Sequence, residues 1–361
     1  MKVMKYLFPI LFIVLLAGGC NFSKDNSVQF DLVVLDTLRI PFAGDIHAGT
    51  YAYNTGLIYN YQSGEYLKFD SSGNVLAKNT IPAQGKDGLF YVNGLKITNS
   101  GTILAKSIRE EIGLLDENLT LIKKTRMPFP NGSLDLKRNQ NAIEIYKNQL
   151  LLFHPGRDNK SPYELGYYKN NYLLEKLDPN TGQASPFLKL SPESQYQENL
   201  HFEPPTALIN RAGNVLYFAF NKEPLISAYD LEKNGELVNS IPLDSEGFVQ
   251  IKGQKLPLGN DGSVVVEGEI TNLIALKNGF AVVYINGLTE EAAQSNSIPG
   301  QQLKIYSNET GWSKPIELPL NILFLLNFAV DGQSFYALTN PASLPAGNNQ
   351  AIVLKMQLKP N

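Results

Sequence analysis

Cysteine is nearly absent from this chain, which has one, Cys20, in 361 residues. No disulfide can form within it, so packing alone must hold the fold. Histidine occurs three times and tryptophan once, as Trp312. Charged residues make up 18% of the chain and the net charge is −3. There is no basic field to draw in nucleic acid, so no nucleic-acid partner is expected. No apolar run reaches the ~20 residues that cross a bilayer as a helix. A G-x-S-x-G elbow, an H-E-x-x-H helix, a phosphate-binding loop and a dinucleotide fingerprint are all missing. Asn260, Asp261 and Ser263 lack the oxygen-rich spacing of a calcium loop and read as a hairpin turn. No catalytic residue, metal site or cofactor is therefore expected.

What is present begins at the N-terminus. Lys2 and Lys5 precede an apolar stretch from Leu7 to Leu16, and Ala17-Gly18-Gly19 leads into Cys20. The stretch has the length of a signal-peptide core. A cysteine directly after small residues resembles the lipobox of bacterial lipoproteins. That resemblance implies export, cleavage before Cys20 and acyl chains on Cys20 that hold the protein to a membrane. Ala17 and Gly19 alone would also suit a general signal peptidase. The apolar run leading straight into a cysteine without a partner favours lipidation. Residues 1–19 read as the signal, 20–29 as a polar lipidated tether, and 30–361 as one domain.

Glycine (29), proline (21) and aromatics (10%) point to β structure with many turns. Two marks recur along the domain. Apolar strands end in Asp70, Asp116, Asp178, Asp230 and Ser307, each followed by a tight turn. Apolar-Pro pairs then close the next strand at Ile81-Pro82, Met127-Pro128, Ile241-Pro242 and Leu318-Pro319. The third unit lacks the proline. Each unit also starts with two strands joined by a Gly- or Asn-containing turn, a strong hairpin signal. The units are therefore four antiparallel strands, a to d from the centre outwards. They lie at 50–82, 91–130, 141–190, 205–243 and 271–320, and a sixth at 326–358 lacks its outer strand. Residues 30–42 carry the same mark, Ile40-Pro41, and are expected to supply it. Such closure removes the open edge of a linear array. The fold class is all-β, a six-bladed β-propeller of four-stranded antiparallel blades.

With these marks the chain resembles six-bladed propellers of the TolB-like fold. More narrowly, it is similar to a family of propeller lipoproteins of diderm bacteria whose function is unknown. The resemblance implies an exported, surface-facing or periplasmic binding role, and the expected location is the cell envelope, lipid-anchored at the outer membrane. It carries no catalytic residues.

In a propeller the a–b and c–d turns share one face, and the b–c and inter-blade d–a loops share the other. Here the first set is tight. The second holds the long segments 154–171, 286–301, 340–350, 83–93, 191–204 and 244–270. Long loops gathered on one face are usually functional, so the b–c/d–a face is expected to bind the ligand. Lineage-specific decoration is the alternative. The candidate residues are His47, Arg109, His154, Arg157, Tyr167, Tyr168, His201, Glu203 and Lys222. Arg109, Arg157 and Lys222 could hold an anion or form ordinary salt bridges. Tyr163, Tyr167 and Tyr168 could offer flat rings to sugar or peptide, or could cover the ends of neighbouring strands.

Three functions fit. The first is a non-catalytic module that binds an envelope protein or glycan. The second is a metal-assisted hydrolase or lactonase at the channel mouth, which needs side chains such as Asp45, His47, His154 and Glu203 to converge. The third is a structural part of an envelope complex.

Overall fold

A computed structural model describes residues 28–133, 142–256, 266–289, 300–319, 321–328, 333–340 and 349–360. Cys20 and the signal lie outside the described residues. The described chain begins with the long strand β1 (Phe30–Pro41) and then builds five blades in order. Blade 1 is β2 (Ile46–Ala52), β3 (Thr55–Asn60), β4 (Glu65–Asp70) and β5 (Val75–Thr80). Blade 2 is β6 (Val92–Ile97), β7 (Ile103–Ser107), β8 (Glu111–Leu115) and β9 (Leu121–Arg126). Blade 3 is β10 (Ile143–Tyr146), β11 (Gln149–Phe153), β12 (Leu174–Leu177) and β13 (Ala184–Phe187). Blade 4 is β14 (Ala207–Ala212), β15 (Val215–Phe220), β16 (Leu225–Asp230) and β17 (Glu236–Pro242). Blade 5 is β18 (Glu269–Leu276), β19 (Gly279–Ile285) and β20 (Gln302–Ser307), with an outer strand split into β21 (Gly311–Trp312) and β22 (Ile316–Glu317).

Blade 6 closes the ring. Its order is β23 (Ile322–Phe328), β24 (Ser334–Thr339), β25 (Gln350–Pro360) and then β1. β1 runs antiparallel to β25 from Phe30 opposite Pro360 to Pro41 opposite Gln350, with one bulge between Val34 and Asp36. The expected N-terminal closure is therefore the observed one. Three blades start slightly earlier than expected, at Ile46, Glu269 and Ile322. Segment 244–270 contributes no outer hairpin among its described residues. Its described residues meet their neighbours through isolated bridges, His201 with Gln254 and Val266 with Leu288.

The hydrophobic core is divided into six clusters, one at each seam between adjacent blades. The apolar-Pro marks have a physical role in this arrangement. Ile40, Ile81, Met127, Ile241 and Leu318 are all buried, each in a different seam. The proline that follows ends the outer strand, where a lost backbone donor costs no ladder bond. Blade 3 lacks the mark, and its seam with blade 4 is closed by Leu188, Leu190 and loop aromatics. The Asp marks cap their turns. Asp70 Oδ1 accepts from Ser72 N (2.8 Å) and Asn74 N (2.9 Å), and Asp116 and Asp230 do likewise. Close approach of blades needs Gly49, where a Cβ would sit 2.7 Å from Leu326 Cδ2 of blade 6. No helix among the described residues is long and apolar enough to cross a membrane.

Candidate functional site

Strand bounds confirm which face carries the loops. The a–b and c–d connections are hairpins such as 53–54, 71–74, 147–148, 213–214 and 277–278. The opposite face carries 154–173, 188–206, 243–256 and 266–268, as well as 127–133 after blade 2. The last of these was not among the long loops expected from sequence, because its apolar-Pro pair looked like a strand end.

On this face most of the expected site residues serve the architecture. Arg157 pairs through Nε (2.8 Å) and Nη2 with the buried Glu175 carboxylate. It also donates to Ala184 O at 3.1 Å, and its guanidinium lies 4.8 Å from the Phe129 ring. Lys222 sits 2.7 Å from Glu267 and 3.8 Å from Glu269. Arg109 stacks 3.7 Å over Phe90. Arg157 and Lys222 are thus in ion pairs, and Arg109 is in a ring contact.

The tyrosines divide. Tyr167 and Tyr168 are buried in the seam between blades 3 and 4, on a one-turn helix (Tyr167–Asn170). Tyr167 Oη accepts from Gly156 N at 2.9 Å, and burial pushes the Tyr168 hydroxyl well above its ordinary range. Both are core rings, whereas Tyr163 and Tyr172 are 56% and 49% exposed. Tyr163 belongs to a loop layer stitched over blades 3 to 5. His201 Nδ1 meets Tyr163 O at 3.0 Å, while the His201 backbone bonds Gln254 in both directions. Glu203 is exposed beside it. Leu165, Ile251 and Leu256 are also exposed on this layer.

The three histidines sit at different places on the ring. His47 is buried at the start of β2, its ring edge-on to Tyr61 (5.2 Å) and Tyr91 (4.4 Å). His201 lies in the layer over blades 3 to 5. His154 is buried at the end of β11, with Nε2 3.0 Å from Phe129 O. A carbonyl only accepts, so Nε2 carries the proton and Nδ1 is the acceptor. Burial pushes the His154 pKa down to about 4, so the ring is neutral at physiological pH. Among the described residues no three His, Cys, Asp or Glu side chains come together as metal ligands. The convergence that a metal-assisted hydrolase needs from Asp45, His47, His154 and Glu203 does not occur.

A small pocket, open to solvent, lies at the loop-face end of the seam between blades 2 and 3. Its apolar side is Ile112, Met127 and Leu152, the upper layer of that seam's core cluster. Among the described residues this cluster has no buried aromatic ring, whereas the other five each contain at least one. The polar side comprises Asn93, Lys106, Ser107, Asn131 and His154, with Glu110 and Glu111 at the rim. Glu110 accepts from Arg126 Nη2 and from Asn131 N, both at 3.1 Å, and Glu111 lies 3.3 Å from Lys124. Glu110 also holds φ at 68°, a left-handed conformation costly for a side chain of its kind. Of the nine candidate site residues, only His154 lines this pocket.

No family model matches the chain, and no curated protein sequence matches it. Solved structures do resemble it. A member of the DUF4221 family from Bacteroides vulgatus superposes with a TM-score of 0.65 over 94% of this chain and all of its own, at 12% identity. A protein from Bacteroides fragilis described as exported gives 0.55 over 94% of this chain and 97% of its own, at 11% identity. At these identities the likeness establishes the shared architecture, and the chain is a six-bladed β-propeller.

Proposed function

We propose that this protein is a lipid-anchored envelope protein whose propeller binds a protein or glycan ligand, without catalysis, through its loop-rich face. The observation that carries the reading is the asymmetry between the faces. One face is spanned by short hairpins with capped turns, which need no explanation beyond strand reversal. The other holds the long connections, the exposed Tyr163, Leu165, Ile251 and Leu256, and the seam pocket. Exposed aromatic and aliphatic groups on loops are the kind of surface that binds partners. The lipid anchor rests on the run into Cys20, and a fold shared with a protein described as exported agrees with an envelope location.

A photo-crosslinking residue placed at Tyr163 on the full-length protein tests the reading, against the same residue at Asn118 in a hairpin of the other face. Crosslinks from position 163 alone support it. Equal crosslinking from both faces, or from position 118 alone, refutes it. For the anchor, Cys20→Ser moves the protein from the membrane fraction to the soluble one. Retention in the membrane fraction refutes lipidation.

A further inference from the structure

We infer that the outer rim of blades 6 and 1, at its hairpin-face end, is the surface that lies against the lipid bilayer, with the loop layer over blades 3 to 5 turned away from the membrane. This rests on the proposed anchor at Cys20 and adds which surface that anchor brings to the lipid.

The first observation is where the chain joins the propeller. β25 follows a b–c connection, so its start at Gln350 is on the loop face and its end at Pro360 is on the hairpin face. β1 runs antiparallel to it, with Phe30 opposite Pro360. The chain coming from Cys20 therefore meets the propeller at the hairpin face, on the outer side of blade 6. It is fixed there, because Val28 O accepts from Lys314 N (3.0 Å), between the two short outer strands of blade 5. Cys20 and Val28 are eight positions apart. At ~3.3–3.6 Å per residue they are separated by at most ~29 Å. A domain of this size has a radius of gyration of ~20 Å and is about 50 Å across. An acylated Cys20 therefore stays near the rim of blades 5 and 6. It does not reach Tyr163 and Leu165, which are on the other face and across the ring in blade 3.

The second observation is the distribution of exposed apolar side chains on the outer strands. Among the described residues, β9 and β17 each expose a single large one, Ile122 and Val238. β5 and β1 each expose an adjacent pair, Val75-Leu76 and Val34-Leu35. These two strands are neighbours. Gly73, in the turn before β5, packs so closely on β1 that a Cβ there would sit 3.3 Å from Leu38 Cβ. Single exposed apolar residues are ordinary, whereas a group of them on one edge marks a contact surface. Lipid is the occupant the anchor brings to it, since Val34 and Leu35 lie on the strand that the chain from Cys20 enters. The exposed charges beside the pairs, Asp36, Arg39 and Lys78, are of both signs, so the contact is apolar and does not select charged headgroups. Aliphatic side chains of this kind enter the boundary between headgroups and acyl chains, and the contact strengthens with the apolar area buried.

The test uses the full-length protein, purified from the membrane fraction and reconstituted into vesicles of phosphatidylethanolamine and phosphatidylglycerol. Leu35→Cys and Leu76→Cys are labelled with a fluorophore, and Tyr163→Cys and Leu256→Cys on the loop layer serve as comparators. Acylation of Cys20 leaves the introduced thiol as the one that takes the label. Lipids carrying a nitroxide high on the acyl chain then report contact by quenching. Quenching of about twofold is expected at positions 35 and 76, and none at 163 and 256. Val34→Ser with Val75→Ser, made in the Leu35→Cys protein, is expected to lower the quenching at 35, which nearness alone would not do. Raising the salt to about 0.5 M is expected to leave the quenching unchanged, as for an apolar contact. Thermal melts check that each variant is folded, and Leu76→Cys carries the test if Leu35→Cys does not fold. Quenching at 163 or 256 in place of 35 and 76 overturns the orientation. Quenching that the serine substitutions leave intact, or that salt removes, overturns the apolar contact. If no position is quenched while the protein floats with the vesicles and Cys20→Ser does not, this inference fails and the anchor stands. If the wild-type protein does not float with the vesicles, both fail.

Discussion

Two buried groups on the loop face, Glu223 and His154, are set to titrate in opposite senses, and their effects on stability should nearly cancel in the native protein. Glu223 is buried in the b–c turn of blade 4, where its carboxylate accepts from Gln195 N (2.6 Å) and Ser194 Oγ (2.8 Å). Desolvation outweighs those two bonds and pushes its pKa up to about 7 from 4.5. Burial pushes His154 down to about 4 from 6.5. Each displacement is roughly 2.5 on the pH scale, or ~3 kcal/mol at 1.36 kcal/mol per pH unit.

The signs follow from proton counts. Between pH 4.5 and 7 the folded state holds the Glu223 proton that the unfolded state has lost, so stability falls as pH rises through that window. Between pH 4 and 6.5 the unfolded state holds a His154 proton that the folded state lacks, so stability rises with pH. In the overlap, pH 4.5 to 6.5, the slopes oppose each other. Glu223→Gln removes the falling slope. The melting temperature of this variant relative to wild type should then climb by about 4 °C from pH 4.5 to 7, given the ~2.1 cal/mol/K per residue unfolding entropy of a domain this size. His154→Gln keeps a donor for Phe129 O and removes the rising slope. Its melting temperature relative to wild type should fall by a similar amount from pH 4 to 6.5. The assay is the melting temperature of wild type, both single variants and the double variant from pH 4 to 7.5, read as differences so that other groups drop out. Difference curves flat within 1 °C across the whole range, ~0.7 kcal/mol on the same conversion, would refute the reasoning.

Ring closure by β1 predicts that Ile40→Ala, at a fully buried position in the seam between blades 6 and 1, costs ~2–5 kcal/mol in urea unfolding. Val34→Ala, exposed at the bulge of the same strand, should stay within about 0.5 kcal/mol. Equal costs at the two positions would contradict the pairing. Arg157→Ala leaves the Glu175 carboxylate buried without its cation, and a loss of about 3 kcal/mol is expected, whereas an unchanged midpoint would make the pair dispensable. Gly64 holds φ at 70° with the Ile81 carbonyl 2.4 Å from the site of a Cβ. Gly64→Ala should cost more than ~1 kcal/mol, and a neutral result would show that the turn can relax.

The architecture was legible because propeller blades repeat their punctuation. Asp70, Asp116, Asp178 and Asp230 cap turns in one way, and the buried residue before each proline closes one seam each time, so every unit identified the others. The closing strand could be found because Ile40-Pro41 carries the same mark at the opposite end of the chain from the incomplete blade. The blade starts at Ile46, Glu269 and Ile322 were placed up to four residues late, because inner strands are buried on both sides and lack the alternation that marks an edge.

The candidate site was less legible, and for a physical reason. Polar residues on long loops look alike in sequence whether they await a ligand or hold the loop down. Arg157 and Lys222 are bound to Glu175, Glu267 and Glu269, partners 18 to 47 positions away that no local spacing reveals. Tyr167 and Tyr168 are core rings of the seam between blades 3 and 4, which no spacing within their own loop reveals. The same logic locates the pocket. The fully buried residues of this seam, Leu104, Ile112, Met127, Ile143, Leu150, Leu152 and Leu177, include no aromatic ring, and Phe129 packs against them only partly buried. The difference can be read from side-chain size once the blades are aligned. This pocket is therefore better sought by asking which seam buries no aromatic ring than by asking which loop is longest. That question leads to Met127 and His154, between blades 2 and 3, and away from the loop layer over blades 3 to 5.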